Sequence, residues 1–171
     1  MRILWLNWRD IKHPLAGGAE VYTHEVAKRL AARGHEVVLV TSRPKGLPPR
    51  EEIDGYTVIR RGGKYTVYLE ARRVYHQLKK EGWRPDVVID EINTVPFLTP
   101  KYVKEPIVAL IHQLCKDCWK YAVHPLAQPL GWWLEQRLHK PYIQAAKRGN
   151  LKVVTVSPST AQDLYDLGYP P

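Results

Sequence analysis

The sequence predicts an α/β fold: a Rossmann-like three-layer αβα arrangement with a mainly parallel sheet. Two observations predict it. Apolar runs at residues 3–6, 37–40, 87–89 and 107–111 are hydrophobic on consecutive residues, as strands buried on both faces must be. Segments with helical spacing lie between them, and strand–helix alternation of this kind gives a parallel sheet with right-handed crossovers and about six or more strands.

Each element has its own warrant. Residues 3–6 form the first strand. Gly17-Gly18-Ala19-Glu20 opens a helix that runs to Arg33, with Tyr22, Val26 and Leu30 spaced by four and Ala19, Thr23 and Ala27 beside them. Gly34 suits its C-terminal cap. Residues 37–40 are the second strand, 44–49 a proline-rich loop, and 56–59 a further strand. Val67, Ala71, Val74, Tyr75 and Leu78 mark a helix ending near Gly82. After the strand at 87–89 a short helix is expected to begin near Thr94. A long helical pattern covers about 126–148, which Pro141 should kink or divide. A strand at 153–156 and a helix at 161–167 complete the series.

With 171 residues, 44% of them hydrophobic, the chain has the length and composition of one globular domain. It shows no bilayer-crossing run and no secretory leader, which makes the cytoplasm the expected location. A net charge of +9 favours anionic partners. The aromatic motifs of RNA-binding modules and a basic tail are both missing, so no nucleic-acid partner is expected.

Ligands of open parallel sheets bind outside the carboxyl ends of the strands. Four places qualify here: residues 7–20, Asp90-Glu91-Ile92-Asn93, His112, and Ser157-Pro158-Ser159-Thr160. Gly17 and Gly18 allow close backbone approach at a helix start, where free N–H groups and the helix dipole suit phosphate or another anion. Their spacing is not G-x-G-x-x-G, which speaks against a dehydrogenase. Glu20 lies in the first helical turn, where the dipole favours a carboxylate whether or not it meets substrate. A neutral imidazole at His112 could hydrogen-bond a sugar hydroxyl. Glu91 could face the cleft as a base or sugar ligand. Asn93 could meet substrate or cap the following helix, and Ser157 and Ser159 fit helix capping.

Cys115 and Cys118 follow His112 closely. Zinc held by His112, Cys115, Cys118 and His124 would crowd all its ligands into one loop, so no metal is expected. Free thiols are preferred over a loop disulfide. Trp132 and Trp133 lie in the long helix among Leu126, Leu130, Leu134 and Leu138, a stripe that reads as core. Arg137, His139, Lys140, Lys147 and Arg148 nearby could instead serve a membrane surface or a lipid-linked acceptor.

Several motifs together resemble the N-terminal domain of retaining glycosyltransferases of the GT-B fold, the group 1 enzymes that include relatives of glycogen synthase and sucrose synthase. They are the first strand, Gly17-Gly18-Ala19-Glu20, Ala31-Ala32-Arg33-Gly34-His35-Glu36-Val37, Pro85-Asp86-Val87-Val88-Ile89-Asp90, the strand ending in His112, and Val153-Val154-Thr155-Val156-Ser157-Pro158-Ser159. The resemblance covers nearly the whole chain. It implies sugar transfer from a nucleotide-sugar donor to a sugar or lipid-linked acceptor, with retention and without a cofactor. It implies that residues 1–171 are the acceptor-side half of the enzyme. It places His112 and Glu91 in the catalytic cleft and Gly17, Gly18, Glu20 and Asn93 at substrate or phosphate. In that family an aspartate often follows the strand-end histidine; Gln113 stands here. The donor-binding second domain, with its pair of glutamates, has no counterpart in the chain, so the chain alone is expected to be inactive. The rival reading is a non-catalytic basic domain that binds a membrane surface or an anionic polymer.

Overall fold

The first strand shows how the layers arise. Successive side chains of a strand point to opposite faces, so Leu4 and Leu6 enter one core cluster and Ile3 and Trp5 another. A computed structural model describes residues 1–114 and 128–171. Its strands are β1 (Arg2–Leu6), β2 (Glu36–Thr41), β3 (Arg50–Ile53), β4 (Tyr56–Arg60), β5 (Val87–Ile92), β6 (Ile107–Ile111) and β7 (Leu151–Thr155), and they form one sheet in the order β3-β4-β2-β1-β5-β6-β7. Every neighbouring pair is parallel except β3 with β4.

The helices are α1 (Gly18–Ala32), α2 (Val67–Lys80), α3 (Gln128–Lys147) and α4 (Pro158–Leu167). Val67, Ala71, Val74, Tyr75 and Leu78 of α2 pack on Leu4, Leu6, Val38, Val40 and Val88. Tyr142 of α3 and Leu164 of α4 extend that face over β6 and β7. Ala27 of α1 covers the opposite face, against Trp5, Leu39 and Val58.

Four details depart from the sequence reading. The antiparallel edge strand β3 was not expected. Its sequence Arg-Glu-Glu-Ile lacks an apolar pattern, and it forms because Asp54 and Gly55, at φ 44° and 84°, make a two-residue hairpin onto β4. No helix begins at Thr94; a single 3-10 turn at Thr99–Lys101 follows instead. Pro141 does not divide the long helix, which runs through it; the ring removes one backbone bond and the rest of the ladder is retained. The last helix starts earlier than expected, with Ser157 accepting from the Thr160 N–H as its N-cap at 3.1 Å.

Two buried polar groups hold the helical layer: Asp90 of β5 joins it to the sheet, and His139 joins α3 to the segment after α4. Asp90 is wholly buried and accepts from Thr99 Oγ1 at 2.7 Å and from the Tyr142 hydroxyl. Burial pushes its carboxyl above the usual carboxylate range, against these hydrogen bonds. His139 of α3 is also wholly buried. Its Nδ1 shares a 2.7 Å hydrogen bond with the Tyr169 hydroxyl, while Nε2 has no partner.

Burial lowers the His139 pKa to about 4. The unfolded chain protonates this ring near pH 6.5. The group's contribution is therefore complete above that value and is lost as pH falls from 6.5 towards 4. Urea unfolding at pH 7.5 and 4.5 should show the wild type losing about 2 kcal/mol more than His139→Phe over that interval. Equal losses in the two proteins would contradict the burial of a neutral His139.

Candidate active site

The sheet sets the place of the site. From β1 the chain builds outward through β2 and β4 on one side, and then returns to place β5 on the other side of β1. The loops leaving β1 and β5 diverge at this switch point and open a crevice at the carboxyl ends of the strands. Trp5 pairs with Ile89 and Leu6 with Asp90. The pleat therefore sends Trp5, Asn7, Ile89 and Glu91 to the α1 face and Asp90 to the other. Adjacent carboxylates thus part company, and Asp90 belongs to the core beneath Tyr142 rather than to a cluster with Glu91.

Glu91 is the centre of a buried network, with 1% of its surface exposed. Its Oε1 lies 2.8 Å from His112 Nε2. Its Oε2 accepts from Trp5 Nε1 at 2.6 Å and from the Thr23 hydroxyl of α1 at 2.5 Å. Asn7 Nδ2 donates to Thr23 Oγ1 at 3.1 Å, and Asn93 Nδ2 donates to Asn7 Oδ1 at 3.2 Å. A carboxylate only accepts, so the proton of neutral His112 sits on Nε2 and Nδ1 is the acceptor on the other side of the ring. The histidine is further held by its own N–H on the Ile92 carbonyl, by its carbonyl on Thr160 Oγ1 at 3.2 Å, and by the edge of Tyr22, whose ring lies 5.7 Å away.

Glu91 is thus buried beneath His112, and its carboxylate is taken up by internal donors instead of lying exposed to the cleft. Asn93 caps no helix and instead ties β5 to the loop after β1. Glu20 is likewise withdrawn from the rim, at 3% exposure. Its carboxylate accepts from the Gly17 N–H at 2.6 Å and from Trp8 Nε1 at 3.2 Å, closing the start of α1 from within.

Gly17 is the N-cap and Gly18 the first helical residue. With Gly17 N–H given to Glu20, the amides of Gly18, Ala19 and Glu20 are the first-turn donors without an intrahelical partner. Neither glycine has a positive φ, and a Cβ built on Gly18 meets nothing within 4 Å. Neither conformation nor internal packing therefore requires glycine at these two positions.

Sequence reasoning assigned no site role to Trp5, Tyr22 or Thr23, and included Asn7 and Thr160 only as members of the rim segments 7–20 and 157–160. Trp5 and Thr23 sit in apolar stripes and read as core. Ser159 is exposed in the first turn of α4 and caps nothing. Of the basic residues near the tryptophans, His139 is interior. Trp133 is 49% exposed with the Arg137 guanidinium 4.6 Å above its ring. Cys115, Cys118 and His124 lie outside the described residues. Among the described residues no group of three or more His, Cys, Asp or Glu could hold a metal ion, and no helix is long and apolar enough to cross a membrane.

The chain belongs to Glycosyltransferase Family 4, whose family model matches residues 16–171. Among solved structures, a sucrose-phosphate synthase from Thermosynechococcus elongatus superposes with a TM-score of 0.64 at 16% identity, over 98% of this chain and 45% of that one. A second structure bearing that name and organism gives a TM-score of 0.60 at 12% identity, over 99% of this chain and 83% of that one. At these identities the likeness is one of fold, that of half a GT-B glycosyltransferase. The chain spans less than half the length of the first of these structures. No curated protein matches the sequence.

Glu91→Gln tests the network. The amide oxygen can keep the Trp5 and Thr23 bonds while its NH2 turns to His112, which must then accept at Nε2. Stability should change by no more than about 1 kcal/mol. Long-range proton–nitrogen NMR should move the His112 proton from Nε2 in the wild type to Nδ1 in the variant. A wild-type proton on Nδ1 would contradict the assigned geometry.

Proposed function

We propose that this chain is the acceptor-side half of a cytoplasmic enzyme that transfers a sugar from a nucleotide-sugar donor to an acceptor hydroxyl, with retention at the anomeric carbon. The observation that carries the reading is His112, set at the carboxyl end of β6 and fixed from below by buried Glu91, on the same rim as the open first turn of α1. With Nε2–H committed to Glu91, Nδ1 accepts a hydrogen bond from a hydroxyl of the sugar being transferred. The Gly18–Glu20 amides offer hydrogen bonds and the positive end of a helix dipole to an anionic group of the donor.

This half supplies orientation. In the proposed reaction the charge that develops on the leaving nucleoside diphosphate is stabilised mainly by a second domain facing this rim. A few neutral amide bonds, about 0.5–1.5 kcal/mol each, fall short of the roughly −8 kcal/mol of micromolar binding. The chain alone is therefore a weak donor binder and an inactive transferase.

Two variants in the complete enzyme test the site. His112→Ala should lower kcat at least about tenfold, the effect of one hydrogen bond of about 1.4 kcal/mol made in the transition state. Gly18→Ala should leave the melting temperature unchanged, because its Cβ meets nothing, while raising KM for the donor. Wild-type kinetics in both would refute the assigned site.

A further inference from the structure

A pocket of about 740 Å³ lies at the opposite end of the sheet from the His112 rim. One wall runs from the end of the 3-10 turn to Ile107, the first residue of β6. The other is the last turns of α3 and the two residues that lead into β7. Both walls therefore stand at the amino ends of the strands. The length of β6 separates the pocket from His112, about 16 Å at the rise of a strand.

Three cations line the space: Lys101 and Lys104 on the first wall and Arg148 on the second. All three are exposed, and none pairs with a carboxylate among the described residues. Glu105 is the one acidic residue of the lining. It is already committed, accepting from Lys79 Nζ and from the Tyr75 hydroxyl at 2.6 Å each and from the Lys104 N–H at 3.2 Å. Burial pushes its carboxyl up, but the bonds from Lys79 and Tyr75 more than offset that and hold it below the usual carboxylate range. Lys79 neutralises Glu105, so the three cations of the lining keep their charge.

A cation at a helix C-terminus is favoured by the dipole without any ligand, which accounts for Arg148 taken alone. It does not account for Lys101 and Lys104, which come from another segment and line the same space. The carbonyls of the last turn of α3 are taken up within the chain: Gln144 accepts from the Arg148 N–H at 3.2 Å, and Ala145 accepts from the Asn150 N–H at 3.0 Å. The walls are joined behind the pocket. Thr99, the first residue of the 3-10 turn, donates to Asp90 through Oγ1 at 2.7 Å. Tyr142, next to the lining residue Pro141, donates to that same carboxylate. The spacing of the two cationic walls is therefore set by a buried contact on β5.

We infer that this pocket binds a small ligand carrying more than one phosphate group, at a site apart from the one that transfers sugar. The volume falls within the roughly 300–1,000 Å³ of sites that enclose a small molecule. Guanidinium and ammonium groups match phosphate oxygens, and Gln144 and Asn150 add neutral amide donors. With cations on both walls, a ligand with two phosphates pairs with both at once. No aromatic ring lines the space, so a nucleobase has no ring to stack on. The phosphates can belong to an inorganic polyphosphate or to a sugar bisphosphate. Bound there, the ligand bridges the 3-10 turn and α3 and stabilises the folded chain.

The test involves neither turnover nor His112, so its outcome is independent of the glycosyltransferase reading. The chain is titrated with pyrophosphate, with fructose 1,6-bisphosphate and, at matched ionic strength, with sodium chloride, while amide NMR shifts and the melting temperature are followed. At least one of the two phosphate compounds should move the amides of Lys101, Lys104, Gln144 and Arg148 saturably and raise the melting temperature; sodium chloride should do neither. The tighter of the two assigns the phosphates to an inorganic or a sugar source. The doubly substituted K101Q/R148Q, altered once on each wall and checked by its melting temperature without ligand, should bind at least about tenfold more weakly. Binding unaffected by K101Q/R148Q, shifts reproduced by sodium chloride, shifts confined to residues 18–20, or no saturable binding of either compound would overturn the assignment.

Discussion

A carboxylate with 1% of its surface exposed persists only where donors surround it, because an unpaired buried charge costs several kcal/mol. Glu91 meets this condition with donors from three other parts of the chain: Trp5 of β1, Thr23 of α1 and His112 after β6. Each donor fixes one element relative to β5. The carboxylate thus sets the depth of α1 on the sheet, and with it the position of the Gly17-Gly18 turn at the helix start. It also fixes the tautomer and ring plane of His112. One buried charge locks two parts of the rim whose residues are far apart in sequence.

Charge is placed with the same economy elsewhere. Asp90, next in the chain to Glu91, faces the opposite layer and joins β5 to Thr99 and Tyr142. Arg60 is buried between Asp10 and Glu51. Burial disfavours its charge, but the two carboxylates more than offset that and raise its pKa. Removing one partner of such a pair leaves an uncompensated charge, at a cost of about 3–5 kcal/mol. Asp10, Glu20, Asp90 and Glu91 are thus used inside the protein. Arg43 and Lys64, in the loops after β2 and β4, are by contrast exposed, which gives the net charge of +9 a local expression.

The buried strands were legible because parallel strands covered on both faces must be apolar on consecutive residues. β3 was not, because an edge strand of Arg-Glu-Glu-Ile is held by its hairpin and leaves no hydrophobic signature. Of the candidate site, His112 was legible from its place after an apolar strand. The separation of Asp90 from Glu91 was available from the strand period alone, yet proximity in sequence suggested a cluster. Trp5 and Thr23 were hidden, since a residue in an apolar stripe looks like packing until a buried carboxylate is found beside it. Lys101 and Arg148 carried no mutual signal at all. They precede different strands, and only the adjacency of β6 and β7 brings them to one pocket.

The central claim is that Glu91 acts through His112. A double-mutant cycle in the complete enzyme tests it most directly, with kcat measured for wild type, Glu91→Gln, His112→Ala and the double variant. If Glu91 serves only to orient the imidazole, each single substitution lowers kcat, and the double variant is no slower than His112→Ala alone. Multiplicative losses would show that Glu91 contributes independently of His112 and would contradict the account.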